Sequence, residues 1–352
     1  MSPGTRQGYR HAALLFRSDA QFVARALPFL EAGLSAGEAG LVVCDEAHNA
    51  LLARALPDDA NVLVLPRDAV YTRAAHVGVT YERLVHRLLA EGARGARLVS
   101  EPAYGSAPGA WETWADFESV SNVTLSALRL SSVCGYDVRG LSASMVRDVQ
   151  RAHPHLLTGD GPVPSGAYVP PADLLGTTPP RPDPLEATPP ALDLEGIADR
   201  AGVVRARGRV RAVVDAACPD TRVGEEFVGA VAEVVTNAFH YGGPPVHVRV
   251  WTAPSRLLCT VTDQGPGADL LFAGYSRGGI DVEPTGAGLW LARQTCDRLD
   301  AYPTPGGFTV RLSSAVPAVA RGGTGPRAGD GAPGYAARAA PRQAAELLDP
   351  VE

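Results

Sequence analysis

The stretch EVVTNAFHYGG, Glu233 to Gly243, decides how the second half of the chain is read. At about 100° per residue, Phe227, Val231, Val234, Val235 and Ala238 fall on one stripe, the face that a globular helix buries. Glu226, Glu233, Asn237 and His240 fall on the opposite side. Taken alone, that side is a solvated polar face. Yet an acid and an amide stand one turn apart on it, and the helix then breaks on Gly242 and Gly243.

The 352 residues suffice for two domains with separate cores, and 45% hydrophobic with 20% charged residues is ordinary for a soluble globular chain. A formal charge of −6 gives no electrostatic ground for nucleic acid or an anionic membrane as the main partner. No apolar run approaches the roughly 20 residues of a membrane span, and the start MSPGTRQGYRHAALLF lacks a signal peptide's apolar core. A cytoplasmic location is therefore expected. Cys44, Cys134, Cys218, Cys259 and Cys296 are scattered without a CxxC pair, which favours buried reduced thiols over a disulfide framework or a zinc site.

Over residues 1–158, short apolar runs alternate with helix-like segments. AALLF, GLVVCD, NVLVLP, ARLVS and LRLSSVCGYD read as strands, and segments near 19–34, 46–56, 79–93, 111–129 and 142–152 as helices. That alternation predicts an α/β domain with a mostly parallel sheet covered on both faces. Residues 159–192 hold ten prolines between 162 and 190 and predict an extended, semi-rigid linker without helix or sheet ladders. A second block, 193–315, reads as helices at 203–217, 223–241 and 288–298, with strands at 245–252, 257–263, 299–303 and 307–313. This mixture predicts an α+β sandwich with antiparallel strand pairs. Residues 316–352 are rich in Gly, Ala, Pro and Arg and are expected to be disordered apart from a short helix near 342–348.

Two further features follow the opening helix of the second block. TVTDQGPGADL delivers Asp263 at a strand end into a turn containing Gly265 and Gly267. TGAGLWLARQTCD starts a helix directly behind Gly286 and Gly288, where backbone N–H groups and the helix dipole favour an anion. Between them, YSRGGIDVEPTGAG is polar and irregular. In this order and spacing, the set resembles the Bergerat-fold (GHKL) ATPases shared by gyrases, histidine kinases and MutL. Within that group it is most similar to the anti-sigma-factor serine kinases, over about 193–313.

That resemblance implies ATP and Mg²⁺ as cofactors. It gives Asn237 the role of metal ligand, Glu233 that of catalytic base, and Asp263 that of adenine reader. Gly265 and Gly267 would lie against the base, and Gly286 and Gly288 would cradle the phosphates. Tyr241 stands where relatives often carry a histidine, with His240 one place earlier, and Arg277 is a candidate for the terminal phosphate. A histidine autokinase needs an upstream helical hairpin that presents a histidine, and LEGIADRAGVVRARGRVRAVVDAACPD contains none. The expected function is thus to sequester a sigma factor and phosphorylate a serine of a STAS-type anti-sigma antagonist. The alternative is a binding module that uses ATP only as a conformational ligand. No direct nucleic-acid contact and no membrane contact are expected, and homodimerisation is left open.

In the first block, FLEAGLSAGEAGLVVCDE resembles the stretch that follows the phosphate loop of RecA- and KaiC-like ATPases. The loop position itself reads FRSDAQF, with neither glycines nor a Walker A Gly-Lys-Ser/Thr, so a triphosphate is not expected there. His11, GLSAGE, WADFESVSN, CGYD and RAHPHL together resemble the MEDS (DcmR-type) sensory domain, a degenerate RecA-like fold, over 11–158. The domain would receive an unidentified small-molecule or protein signal. His11, Cys134, Asp137 and His153 either gather as a ligand or metal site or each serve the core. Trp111, Trp114 and Phe117 read as core.

Overall fold

In the computed structural model, β1 (Arg10–Phe16) runs through the interior of a seven-stranded sheet. The structure describes residues 8–103, 110–176, 180, 182–265, 272, 274–275 and 287–317. These fall into two units that divide at Leu175. The first follows β1 with α1 (Asp19–Ser35), β2 (Ala39–Val43), α2 (Glu46–Ala55), β3 (Val62–Val64), α3 (Arg67–Val70) and α4 (Ala74–Ala90). It continues with β4 (Ala96–Ser100), α5 (Ala110–Thr124), β5 (Leu130–Asp137), α6 (Ala143–Ala152), β6 (His155–Thr158), β7 (Gly161–Pro164) and α7 (Pro171–Gly176).

The strand order is β3-β2-β4-β5-β1-β6-β7, with every neighbouring pair parallel except β6 and β7. The apolar strands are explained by cover on both faces: β2, AGLVV, is buried at every position. One face packs on Phe22, Leu30 and Leu52 of α1 and α2, the other on Val77, Leu84 and Phe117 of α4 and α5. At the β1–α1 turn, Ser18 caps the helix by accepting from the Gln21 N–H, and Asp19 occupies the first turn. A phosphate there would meet a carboxylate where a lysine is needed.

The second unit consists of β8 (Leu192–Ile197), α8 (Arg200–Ala217), α9 (Thr221–Tyr241), β9 (Val246–Ala253), β10 (Arg256–Asp263), α10 (Ala287–Thr295), β11 (Arg298–Thr304) and β12 (Gly307–Ala315). Its antiparallel sheet has the order β11-β12-β10-β9-β8. Val210 and Val214 of α8, Phe227 and Val231 of α9 and Ala292 of α10 form one core with Val248, Val261 and Leu312 of the sheet. The expected apolar stripe of α9 is thus the stripe that is buried. Strand β8 was not anticipated, because LDLEGI is short and its pairing with β9 shifts register between Leu194 and Ile197.

The proline-rich stretch also departs from the expectation of a segment without ladders. Gly161, at φ +107°, makes the turn that returns the chain as β7, whose Pro162 and Pro164 lie on the sheet's edge strand, where a missing N–H is tolerated. Pro171 opens α7. Pro184 opens a 3₁₀ turn, Pro184–Ala187, that Asp183 caps together with Glu186. That turn is fixed to the second sheet: Asp183 pairs with Arg256 at 2.6 Å, Glu186 with Arg311 at 2.7 Å, and Trp251 Nε1 donates to the Thr188 carbonyl at 2.8 Å. Proline here shapes caps and an edge. The expected tail lies largely outside the described residues, as does its helix near 342–348.

Buried Arg311 joins this turn to the sheet, because its guanidinium also donates to Asp300 Oδ2 at 2.8 and 3.1 Å. Removing it leaves Asp300 with Arg298 alone among these partners, and breaking a buried ion pair from one side costs about 3 kcal/mol. We expect Arg311→Ala to lose about that much in chemical denaturation of the full chain. A loss below about 1 kcal/mol, the range of an exposed pair, would show that the turn is not held this way.

Candidate functional site

Helix α9 is anchored at both ends. Asp220 caps its start by accepting from the Val223 N–H at 3.1 Å. At its end the Gly242 N–H donates to Ala238 O at 3.1 Å, and the chain then runs directly against the exit of β10. A Cβ on Gly242 would overlap the Asp263 carboxyl group, and one on Gly243 would stand 2.9 Å from the Gly265 nitrogen. The Gln264 N–H donates to the Gly243 carbonyl at 2.7 Å. Two glycines end the helix because side chains would not fit between it and the strand end.

Asp263 is the last residue of β10 and is buried, 7% exposed. Its Oδ1 accepts from the Gly265 N–H at 2.8 Å. Burial pushes the carboxyl pKa above its ordinary value, while N–H groups of Gly265 and Gly243 pull it back. The site therefore holds a carboxylate that the fold does not fully compensate.

One turn before the end of α9, Glu233 and Asn237 are half-buried rather than solvated. Both reach the first turn of α10. A Cβ on Gly288 would stand 2.9 Å from Glu233 Oε2, 3.0 Å from Asn237 Nδ2 and 3.5 Å from Asn237 Oδ1. A carboxylate, an amide and a helix N-terminus thus meet at one point, a close approach that a side chain on Gly288 would disturb. Free N–H groups and the dipole at such a terminus favour an anion. Gly267, Gly286 and Arg277 lie outside the described residues. His240 is exposed, its ring 5.2 Å from that of Phe239, and Tyr241 is 65% exposed.

In the first unit, three of the four residues considered as a ligand set do meet: His11, Cys134 and His153. The fourth place belongs to Glu118. Asp137 instead binds the Arg139 guanidinium, at 2.6 Å from Nη2. Three positions apart in a strand, Cys134 and Asp137 face opposite sides of the sheet, a period that the sequence already carried. Glu118 sits in the middle of WADFESVSN and was missed as a member of the cluster. Trp114 packs edge-on against Phe117 in the core, while Trp111 donates to Asp148 at 3.0 Å. All five cysteines are free and buried.

The raised pKa of Asp263 fixes the sign of a stability effect. A carboxylate whose folded pKa lies above its unfolded value costs stability once the pH passes the ordinary carboxylate range, and the cost persists at neutral pH. Asp263→Asn keeps the acceptor for Gly265 and removes the charge. We expect its melting temperature at pH 7 to equal or exceed the parent's, with the difference vanishing in acid. A lower melting temperature at pH 7 would mean that the carboxylate is compensated.

Two family models match the chain. Residues 10–154 match the methanogen/methylotroph, DcmR sensory domain (MEDS). Residues 197–314 match the histidine kinase-like ATPase domain. No curated protein matches. Among solved structures, the RsbU and RsbW domains of Rv1364c from Mycobacterium tuberculosis align at 21% identity over 37% of this chain and 33% of that one, with a TM-score of 0.27. This chain spans about a third of that structure's length, and so slight a likeness carries no weight. Among the described residues, no helix is long and apolar enough to cross a membrane. The chain comprises a MEDS sensory domain followed by a histidine kinase-like ATPase domain.

Proposed function

We propose that this chain is an anti-sigma-class regulator. Its ATPase domain binds Mg-ATP, holds a sigma factor and transfers the γ-phosphoryl group to a serine of a STAS-type antagonist. Its MEDS domain, a degenerate relative of RecA-like enzymes, receives the signal. The observation that carries the nucleotide part is the meeting of Glu233, Asn237 and Gly288 at the start of α10.

The residues present fit a magnesium nucleotide. Asn237 would hold the ion through Oδ1, a hard oxygen donor, and the ion would screen the phosphate charges. Gly288 and Gly286, without side chains, would let phosphates approach the backbone N–H groups at the α10 N-terminus. Asp263 would accept from the exocyclic amine of adenine, and Gly265 and Gly267 would let the chain pass close to the base. Glu233 would accept the proton of the incoming serine hydroxyl as its oxygen bonds to the γ-phosphorus and the bond from that phosphorus to the departing ADP oxygen breaks.

Helix α8 supports a serine target over autophosphorylation. Val203, Ala206, Val210 and Val214 are buried in the ATPase domain's own core, so the apolar stripe that a dimerising hairpin would need is already used. The segment carries no histidine.

Incubation with labelled ATP and a panel of STAS-type domains tests the proposal, with Glu233→Gln as the discriminating variant. A positioned base is worth about 10²–10⁴-fold in rate, so transfer should fall by about that factor. ATP affinity should change by less than roughly fivefold, about 1 kcal/mol, and sigma-factor capture should persist. Transfer at the parental rate would remove Glu233 from the mechanism. ATP binding without transfer to any domain would leave the conformational-switch reading.

A further inference from the structure

Four buried side chains converge in the MEDS domain. His11 on β1 and Cys134 on β5 project from one face of the sheet, Glu118 comes from the middle of α5, and His153 caps the C-terminus of α6. Their exposures are 2%, 5%, 5% and 0% for His11, Cys134, Glu118 and His153. His11 Nε2 lies 3.1 Å from Glu118 Oε2 and 3.4 Å from Cys134 Sγ. His153 Nε2 and Cys134 Sγ each lie 3.5 Å from Glu118 Oε2. One ligand atom from each residue falls within 4.8 Å of all the others.

The outward nitrogens fix how the rings present themselves. Nδ1 of His153 lies 2.7 Å from the Val149 carbonyl, which can only accept, so this nitrogen carries the proton. Nδ1 of His11 faces Asn122 Oδ1 at 3.1 Å. The Asn122 amide is oriented because its Nδ2 donates to the carbonyls of Ser119 and Ala152, both at 2.9 Å. His11 Nδ1 is therefore also a donor. In the neutral rings both Nε2 atoms then present lone pairs to a carboxylate, and His153 Nε2 makes no hydrogen bond.

Lone pairs and a carboxylate facing one another in a dry interior repel unless a positive charge lies among them. The Cys134 thiol hydrogen and a proton on one ring satisfy two of these contacts and leave the other ring. Protons on both would place two imidazolium rings with centroids 4.1 Å apart against a single carboxylate. One divalent ion satisfies all four. Bonds of roughly 2.0–2.3 Å give tetrahedral edges of roughly 3.3–3.8 Å, and the four separations above are close to that. Imidazoles whose other nitrogen donates to an oxygen are the usual form of metal-ligating histidine. Two imidazoles, a thiolate and a carboxylate suit zinc better than calcium or magnesium, which take oxygen ligands. A small recess lined by Trp111, Trp114 and Tyr136 borders Glu118 and His153.

We propose that His11, Glu118, Cys134 and His153 form a tetrahedral site for a zinc-class divalent ion in the sensory domain. Binding transfers the Cys134 thiol proton to solvent as the sulfur becomes a ligand, with no change of oxidation state.

The test is metal analysis of the full chain after zinc loading and desalting, with cobalt(II) as the spectroscopic probe. The expected result is one zinc per chain and a tetrahedral cobalt spectrum with a sulfur-to-cobalt charge-transfer band. Cys134→Ser should abolish that band, and His153→Ala should weaken zinc binding by at least about tenfold. The spectrum of the parent chain decides the matter even where a variant fails to fold. Absence of stoichiometric zinc and of the tetrahedral spectrum would assign the cluster to a shared proton. Unchanged binding in both variants would place the ion elsewhere, and either result overturns the site.

Discussion

The ATPase domain is organised around a place where no side chain fits. The start of α10 comes so close to α9 that a single methyl group on Gly288 would touch the Glu233 carboxylate and the Asn237 amide. That approach requires α9 to be held at a fixed depth, and the pair of glycines at its end provides the hold by letting β10 pass against it. Asp263, buried against the same junction, is the cost that the fold retains there. Charge that is left under-compensated in a fold is commonly found where a ligand completes it.

Much of this junction was legible before any coordinates. The stripe of Phe227, Val231, Val234, Val235 and Ala238 fixed both the helix and its buried face, because a 3.6-residue period has few other readings. Glu233 and Asn237 were legible as neighbours on one face. Their half-burial was not, because it depends on α10, which is distant in sequence. The reason for two glycines was equally hidden: Gly242 and Gly243 look like an ordinary helix stop, yet what excludes a side chain there is the end of another strand.

The sensory domain shows the complementary case. Its strands announce themselves because a parallel sheet covered on both faces must be apolar throughout. Its polar cluster does not, since a carboxylate in mid-helix reads as a surface residue until the opposing strand is placed. Glu118 could not be paired with His11 over that distance, whereas the exclusion of Asp137 followed from strand parity alone. The proline-rich stretch misled for a related reason. Proline forbids a central strand but not an edge, a cap or a first helical turn, and residues 161–187 use all three.

On the proposed function, the phosphates of a magnesium nucleotide bind at the N-terminus of α10, beside Gly288, Glu233 and Asn237. Calorimetric titration of Mg-ATP into the parent chain and into Gly288→Ala measures this directly. The added methyl group crowds the Glu233 carboxylate and the Asn237 amide and is a mild change within a helix. We expect micromolar-class or tighter binding by the parent and a loss of at least about tenfold in the variant, about 1.4 kcal/mol, with the melting temperature nearly unchanged. Equal affinities in two folded proteins would contradict it.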